Sequence, residues 1–249
     1  MESRLVVLSR GPELYSTRRL VRESEDIGLA VRVIDPLTLT LVVEQDGGKI
    51  LHGGWPVECD AILPRIGYSI TRRGVAVVRQ FEQKGVVVVN PSESILNSRD
   101  KLVACQMMVN DKVPVPITAH VGAWEDTGRS VNRVGGCPCV VKSTEGTHGS
   151  GVFLVRSEQQ ARQLVYQMLE RGMRPLVQEY IQESHGVDML LSERGPLVLE
   201  VNSSPGLEGI EKATGVNVAR KVAEFLKENL EISTKEIKNS DNKSINLKK

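Results

Sequence analysis

A chain of 249 residues is long enough for one large domain or two modest ones with real cores. Its 32 basic and 31 acidic side chains nearly cancel, to a formal charge of +1, so no global electrostatic case exists for nucleic acid or an anionic membrane as partner. Mean hydropathy is −0.17 and no apolar run approaches the roughly 20 residues that span a bilayer, which points to a soluble protein without a membrane segment. The cysteines Cys59, Cys105, Cys137 and Cys139 form no paired framework, as expected in a reduced, cytoplasmic setting. Cys137-Pro138-Cys139 lacks the two-residue gap of a usual zinc or redox pair.

Strand-like and helix-like segments alternate from the start. "RLVVLSR" (4–10), "YSTRRLVRESEDIG" and "AVRVID" (30–35) form a β-α-β signature that ends at Asp35-Pro36. "EQDGGKILHGG" reads as a hairpin turning at Asp46-Gly47-Gly48. "DAILPRIG", the helical "TRRGVAVVRQFEQKG" and the β-branched "VVVVN" (86–90) complete a small α/β domain over residues 1–95. Asn90-Pro91-Ser92 breaks the pattern, and Ser98 is placed to cap a helix from Lys101 to about Asn110.

A second series follows "VPVPITA". "CPCVVKS" (137–143) and "GVFLVRS" flank a glycine-rich loop with no helix between them, which predicts an antiparallel hairpin. Ser157 and Gln160 make a capping box for "SEQQARQLVYQMLERG", and "PLVQEYI" (175–181) is the next strand. A further hairpin turns at Ser192-Glu193-Arg194-Gly195. The closing helix "VNVARKVAEFLKENL" carries an apolar stripe of Val218, Val222, Phe225 and Leu226. Residues 96–231 thus form a second domain, and the polar residues 232–249 read as a disordered, solvated tail.

Four stretches bear chemistry. In "VVKSTEGTHGSGV", Lys142 precedes Gly146, Gly149, Ser150 and Gly151, so backbone N–H groups and an ammonium can converge on an anion. It is neither a P-loop nor a dinucleotide fingerprint, and a plain hairpin tip remains the alternative. Gln178, Glu179, Tyr180 and Ile181 end a strand in a way that suits an adenine edge, or simply end a strand. Lys101, in "NSRDKLVACQ", is either a solvated helix lysine or a second cation for the same anion. Asp188 lies on the first arm of the late hairpin and Glu200 and Asn202 on the second. Residues two apart on a strand share a face, so Glu200 and Asn202 offer oxygens to a hard cation or form the wet face of an edge strand.

These stretches in this order, "NSRDKL", "VVKSTEGTHGSGV", "LVQEYI" and "GPLVLEVNSSPGLEGIEKATGVNVA", resemble the ATP-grasp ligases, and among them the RimK type, which adds glutamate to the carboxyl terminus of a ribosomal protein. The resemblance runs from "SRGPELYSTRRL" to the last helix. It implies an α/β, ATP-grasp architecture: an N-terminal pre-ATP-grasp domain, then two α+β subdomains clamping ATP. By the same resemblance ATP and Mg²⁺ or Mn²⁺ are the cofactors, Lys101 and Lys142 hold the phosphates, Glu179 and Tyr180 lie at the nucleotide, and Asp188, Glu200 and Asn202 ligate the metal. The partners it implies are glutamate or a similar amino acid and a ribosomal protein or peptide acceptor. Such enzymes phosphorylate a carboxylate and let an amine attack the acyl phosphate. No single catalytic residue is singled out, and the oligomeric state is left open.

One departure stands out. In the family, further strands separate "QEYI…G-x-D" from "G-V-D-I-L…GPLVLEVN", and here the two joints fuse at "HGVDMLL". Asp188 therefore matches two family positions at once, one at the nucleotide ribose and one at the metal. A piece of roughly sixty residues, about half of a small domain, is missing from the second subdomain, and with it an arginine and an asparagine that normally help hold phosphates and metal. The expected function is an ATP- and Mg²⁺-dependent carboxylate–amine ligase, impaired by this deletion. The alternatives are an ATP-binding remnant without turnover, or a ligase for a small amino-acid acceptor.

Overall fold

The computed structural model describes residues 2–45, 47–146, 151–182 and 188–246, with side chains to Lys235. Two compact units result: residues 1–95 with 203–249, and residues 96–202. In the first unit, β1 (Arg4–Leu8), α1 (Tyr15–Asp26) and β2 (Ala30–Ile34) form the β-α-β crossover, with β2 parallel to β1. An antiparallel ribbon of β3 (Leu39–Val42), β4 (Lys49–His52) and β5 (Trp55–Pro56) follows. Then come β6 (Ala61–Pro64), α2 (Thr71–Gln83) and β7 (Val87–Val88), giving a parallel sheet of order β2-β1-β6-β7. Only two residues of "VVVVN" join the ladder.

Alternation along β1 explains why this sheet is apolar on both faces. Val6 and Leu8 pack with Phe81, Val77 and Val78 of α2, while Leu5 and Val7 pack with Leu20 of α1 on the opposite face.

The helix α3 (Ser92–Arg99) leads directly into α4 (Lys101–Asn110). Asp100, not Ser98, caps α4: its Oδ1 accepts from Leu102 N at 2.9 Å and Val103 N at 3.3 Å. Ser98 lies inside the preceding helix, whereas a carboxylate at the N-cap both satisfies the open amides and complements the helix dipole.

In the second unit, β8 (Thr118–His120), α5 (Thr127–Arg133), β9 (Cys139–Ser143), β10 (Val152–Val155), α6 (Glu158–Glu170) and β11 (Pro175–Glu179) make an antiparallel sheet of order β10-β9-β11-β8. Ser157 Oγ accepts from Gln160 N at 3.3 Å at the start of α6. One sheet face, with Cys139, Val141 and Val177, packs on Val131 of α5 and on Ala161, Val165 and Met168 of α6. The other face carries Lys142, Leu176 and Gln178. The hairpin of β12 (Met189–Ser192) and β13 (Gly195–Val198) forms its own two-stranded sheet, with Val198 N donating to Pro114 O at 2.8 Å.

After Asn202 the chain rejoins the first unit through α7 (Glu208–Thr214) and α8 (Val218–Asn246). In space, residues 203–231 thus pack with the first unit. Ala219, Leu226 and Leu230 of α8 complete the α1 side of its core, whereas Phe225 is 55% exposed and lies off the stripe. The expected disordered tail is instead helical to Asn246. An anchored helix extends without a new nucleation step, and Lys, Glu and Ile are adequate helix formers. Among the described residues, no helix is long and apolar enough to cross a membrane.

Candidate nucleotide and metal site

The second face of the second unit's sheet centres on Lys142, which is 6% exposed, with Leu176 and Gln178 buried beside it. Strand register puts Lys142 opposite Leu176, so Gln178 is its diagonal neighbour on the same face. Lys142 Nζ donates to Gln178 Oε1 at 2.9 Å, and Gln178 Nε2 donates to Thr118 Oγ1 at 2.7 Å across the next pair of strands. Gln178 therefore positions the lysine through its side chain, a role the sequence did not signal. Burial lowers the Lys142 pKa; nearby Cys105 and Glu200 oppose that effect and the Lys101 charge adds to it. No carboxylate among the described residues lies within ion-pair distance of Lys142.

Lys101 is brought to the same place by the backbone. Its N–H donates to Thr144 O at 2.9 Å, which pins the first turn of α4 to the end of β9. Its Nζ donates to Gly146 O at 2.9 Å and stands 3.9 Å from Glu200 Oε2. Lys101 thus has a carboxylate within ion-pair distance, while Lys142 has none among the described residues and is left for an anion. Arg174, unforeseen from sequence, ties Asp100 (2.8 Å) and Glu145 (2.7 Å) beside them, and Thr144 N donates to Arg174 O at 2.9 Å. Gly146 and Gly151 flank the loop; Gly149 and Ser150 lie outside the described residues.

On β11, Glu179 accepts from Ile117 N at 2.7 Å and also from Arg194 of the hairpin turn. Its carboxylate is thereby engaged with the protein. Tyr180 is 39% exposed and Ile181 half-buried, so both are available to a ligand's ring. Val152 and Leu154 of β10, 46% and 43% exposed, extend the apolar part of this face.

The metal candidates bracket β12 and β13 instead of lying on them. The ladder ends at Met189 opposite Val198, with one further bond from Leu199 N to Asp188 O at 2.8 Å. Glu200 and Asn202 follow in irregular backbone, so strand alternation does not set their directions. Among the described residues, no group of three or more His, Cys, Asp or Glu side chains is close enough to hold a metal. Asp188, Glu200 and the Asn202 amide fit a hard divalent cation in kind, as oxygen donors. They are too few for six-fold coordination without water or phosphate oxygens.

A parallel α/β unit followed by an antiparallel sheet, with a buried lysine on its second face, another at the neighbouring helix start and glycines between two strands, is the arrangement of the ATP-grasp class. Solved structures agree on the fold. An ATP-grasp RimK domain protein from Sphaerobacter thermophilus superposes with a TM-score of 0.67 at 19% identity, over 90% of this chain and 99% of that one. The ATP-grasp ligase PsnB, in its complex with minimal precursor, Mg and ADP, has a TM-score of 0.67 at 15% identity, over 92% and 98%. The sequence matches the RimK pre-ATP-grasp domain over residues 3–95 and the RimK-like ATP-grasp domain over 98–186 and 183–226. The chain belongs to the RimK-like ATP-grasp family. A probable alpha-L-glutamate ligase of Legionella pneumophila (strain Corby) is 34% identical over 286 residues, covering 90% of this chain and 95% of that protein. One from Trichodesmium erythraeum is 35% identical over 289 residues, covering 91% and 97%.

These alignments also measure the interruption. Nine-tenths of 249 residues is about 224, so some 62 of the 286 positions aligned with the Legionella protein have no residue here. The two matches to the ATP-grasp domain overlap at residues 183–186, at the start of the "HGVDMLL" stretch (185–191) where the fusion is expected.

Proposed function

We propose that this chain is an ATP-dependent carboxylate–amine ligase that adds glutamate to the carboxyl terminus of a ribosomal protein or peptide. The observation that carries the reading is the buried Lys142 ammonium, held by a neutral amide beside Lys101, with Glu200 within ion-pair distance of Lys101 alone. Such a pair binds and orients a triphosphate. Gly146, Gly149, Ser150 and Gly151 would close backbone amides over it, while the main chain of Gln178 to Ile181 meets the adenine edge. Asp188, Glu200 and Asn202 would hold Mg²⁺ or Mn²⁺, which when bound neutralises charge on the phosphate oxygens. Clamped in this way, ATP would phosphorylate the acceptor carboxylate, and the glutamate amine would displace phosphate from the acyl phosphate. Calorimetry with ATP, together with ADP release in the presence of glutamate and a peptide acceptor, tests both halves: the absence of ATP binding would end the reading.

A second reading, nucleotide binding without turnover, is favoured by the interruption at 183–186 and by the isolation of β12 and β13 as a two-stranded sheet. ATP binding with no acceptor-dependent ADP release would select it.

A further inference from the structure

The carboxyl edge of the first unit's parallel sheet carries cations that the nucleotide reading does not use. In open parallel sheets this edge is where ligands bind. Here β1 and β6 lie side by side, with Leu8 opposite Pro64, and each is followed by an arginine: Arg10 one residue past Ser9, and Arg65 immediately after Pro64. Arg65 N donates to Leu8 O at 2.8 Å, which holds the start of its side chain at the strand ends.

The segment Ser203 to Leu207 is laid along the same edge. Asn90 Nδ2 donates to Ser203 O at 2.8 Å, Ser204 Oγ to Pro64 O at 3.4 Å and Leu207 N to Ser16 Oγ at 2.9 Å. Arg65 Nη2 donates to Pro205 O at 2.6 Å. That is one of its five N–H donors, and no other meets an acceptor among the described residues. None of the remaining guanidinium nitrogens is a fully buried orphan, so they reach open space. Burial lowers the Arg65 pKa, as it does for a cation whose neighbours do not neutralise it. No described carboxylate is within ion-pair distance of Arg65 or of Arg10, whose Nη2 donates only to Ser69 Oγ at 3.2 Å.

We propose that this edge is a carboxylate-binding site, in which the free fork of Arg65 grips a carboxylate of the glutamate substrate and Arg10 adds charge from the next strand. A guanidinium fork matches a carboxylate in two parallel hydrogen bonds, which an ammonium cannot reproduce. The assignment names the substrate subsite of the ligase proposed above and rests on that reading.

The test measures binding of L-glutamate to the full chain by ligand-observed NMR, with ATP affinity followed by calorimetry in the same variants. Arg65→Gln keeps a donor for Pro205 O and removes the charge and the fork. It should weaken glutamate binding by roughly 10- to 100-fold, with ATP affinity unchanged. Arg65→Lys keeps the charge and should bind more weakly than wild type and more tightly than Arg65→Gln. Wild-type glutamate affinity in Arg65→Gln would show that Arg65 only clamps residues 203–207, and would overturn the site. If Arg65→Gln does not fold, Arg65→Lys decides: reduced glutamate binding in a folded protein supports the fork, and unchanged binding overturns it. A wild-type chain that binds ATP but not glutamate overturns this site alone. One that binds glutamate but not ATP overturns the nucleotide reading alone.

Discussion

Lys142 and Gln178 occupy diagonal positions on neighbouring antiparallel strands, and the buried ammonium of one donates to the amide oxygen of the other at 2.9 Å. The pair satisfies a hydrogen bond without neutralising a charge. Changing Gln178 to Glu would supply the missing counter-charge and compete with any phosphate. ATP affinity measured by calorimetry should then fall about tenfold or more, with the fold intact. Unchanged affinity would mean that Lys142 does not meet the nucleotide. The same geometry sets a pH dependence. Because the folded pKa of Lys142 is lowered, the folded chain loses this proton before the unfolded chain does, and stability should rise with pH between the depressed value and the ordinary 10.5. Lys142→Met should remove that rise in denaturant midpoints taken across alkaline pH.

The contrast between what the chain announces and what it conceals follows from which forces act locally. The parallel sheet of the first unit was legible because Leu5 to Leu8 are apolar on both faces, and the capping box at Ser157 because it spans four residues. The lysines, the glycine loop and the E-x-N stretch were legible as patterns of residue type. Their geometry was not, because it depends on contacts distant in sequence: Lys101 reaches the site through a bond to Thr144, and Gln178 acts through a strand register no local pattern encodes. The E-x-N spacing puts Glu200 and Asn202 on one face only where the strand continues, and the ladder stops at Val198. Periodicity alone marks the helix α8 in the sequence. Its choice of Ala219, Leu226 and Leu230 over Phe225 reflects the surface it packs against, the α1 side of the first unit.

Glu200 faces Lys101 at 3.9 Å and is 39% exposed, so its carboxylate is available to a cation. Glu200→Gln keeps the shape and removes the charge. ATP binding in the presence of Mg²⁺ should weaken by about an order of magnitude, while binding without metal changes little. A variant that unfolds on this change would show Glu200 to be structural.

Glu211 anchors the C-terminal segment within the first unit. Its carboxylate accepts from Tyr15 Oη at 2.8 Å, Arg19 Nε at 3.1 Å and Ala219 N at 2.9 Å. Burial pushes its pKa up, but the hydrogen bonds from Ala219, Tyr15 and Arg19 outweigh that and hold it below the ordinary 4.5. A depressed carboxyl contributes stability that is present above 4.5 and lost as pH falls through the folded value. Glu211→Gln should cost about 1–2 kcal/mol at neutral pH and flatten the acid limb of the stability profile. Equal acid sensitivity in the variant and wild type would place the titrating group elsewhere.

The family resemblance implies that the missing segment would bring an arginine and an asparagine to the transferring phosphate, and the proposed site asks Asp188 to serve both ribose and metal. One carboxylate cannot occupy both places, and loss of electrostatic stabilisation at the phosphate commonly costs on the order of 10²–10³ in rate per group. Binding of Mg²⁺–ATP should therefore outlast catalysis, with acceptor-dependent ADP release far below that of a full-length relative. The hairpin left behind exposes Met189 at 49% and Leu191 at 61%, and a two-stranded sheet is marginal by itself. Self-association should accompany the low turnover, and Leu191→Lys should reduce it in sedimentation velocity while leaving ATP affinity intact. Steady-state ADP release with glutamate and a peptide acceptor decides the point, because robust turnover would require residues of this chain to have taken over what the missing segment supplies.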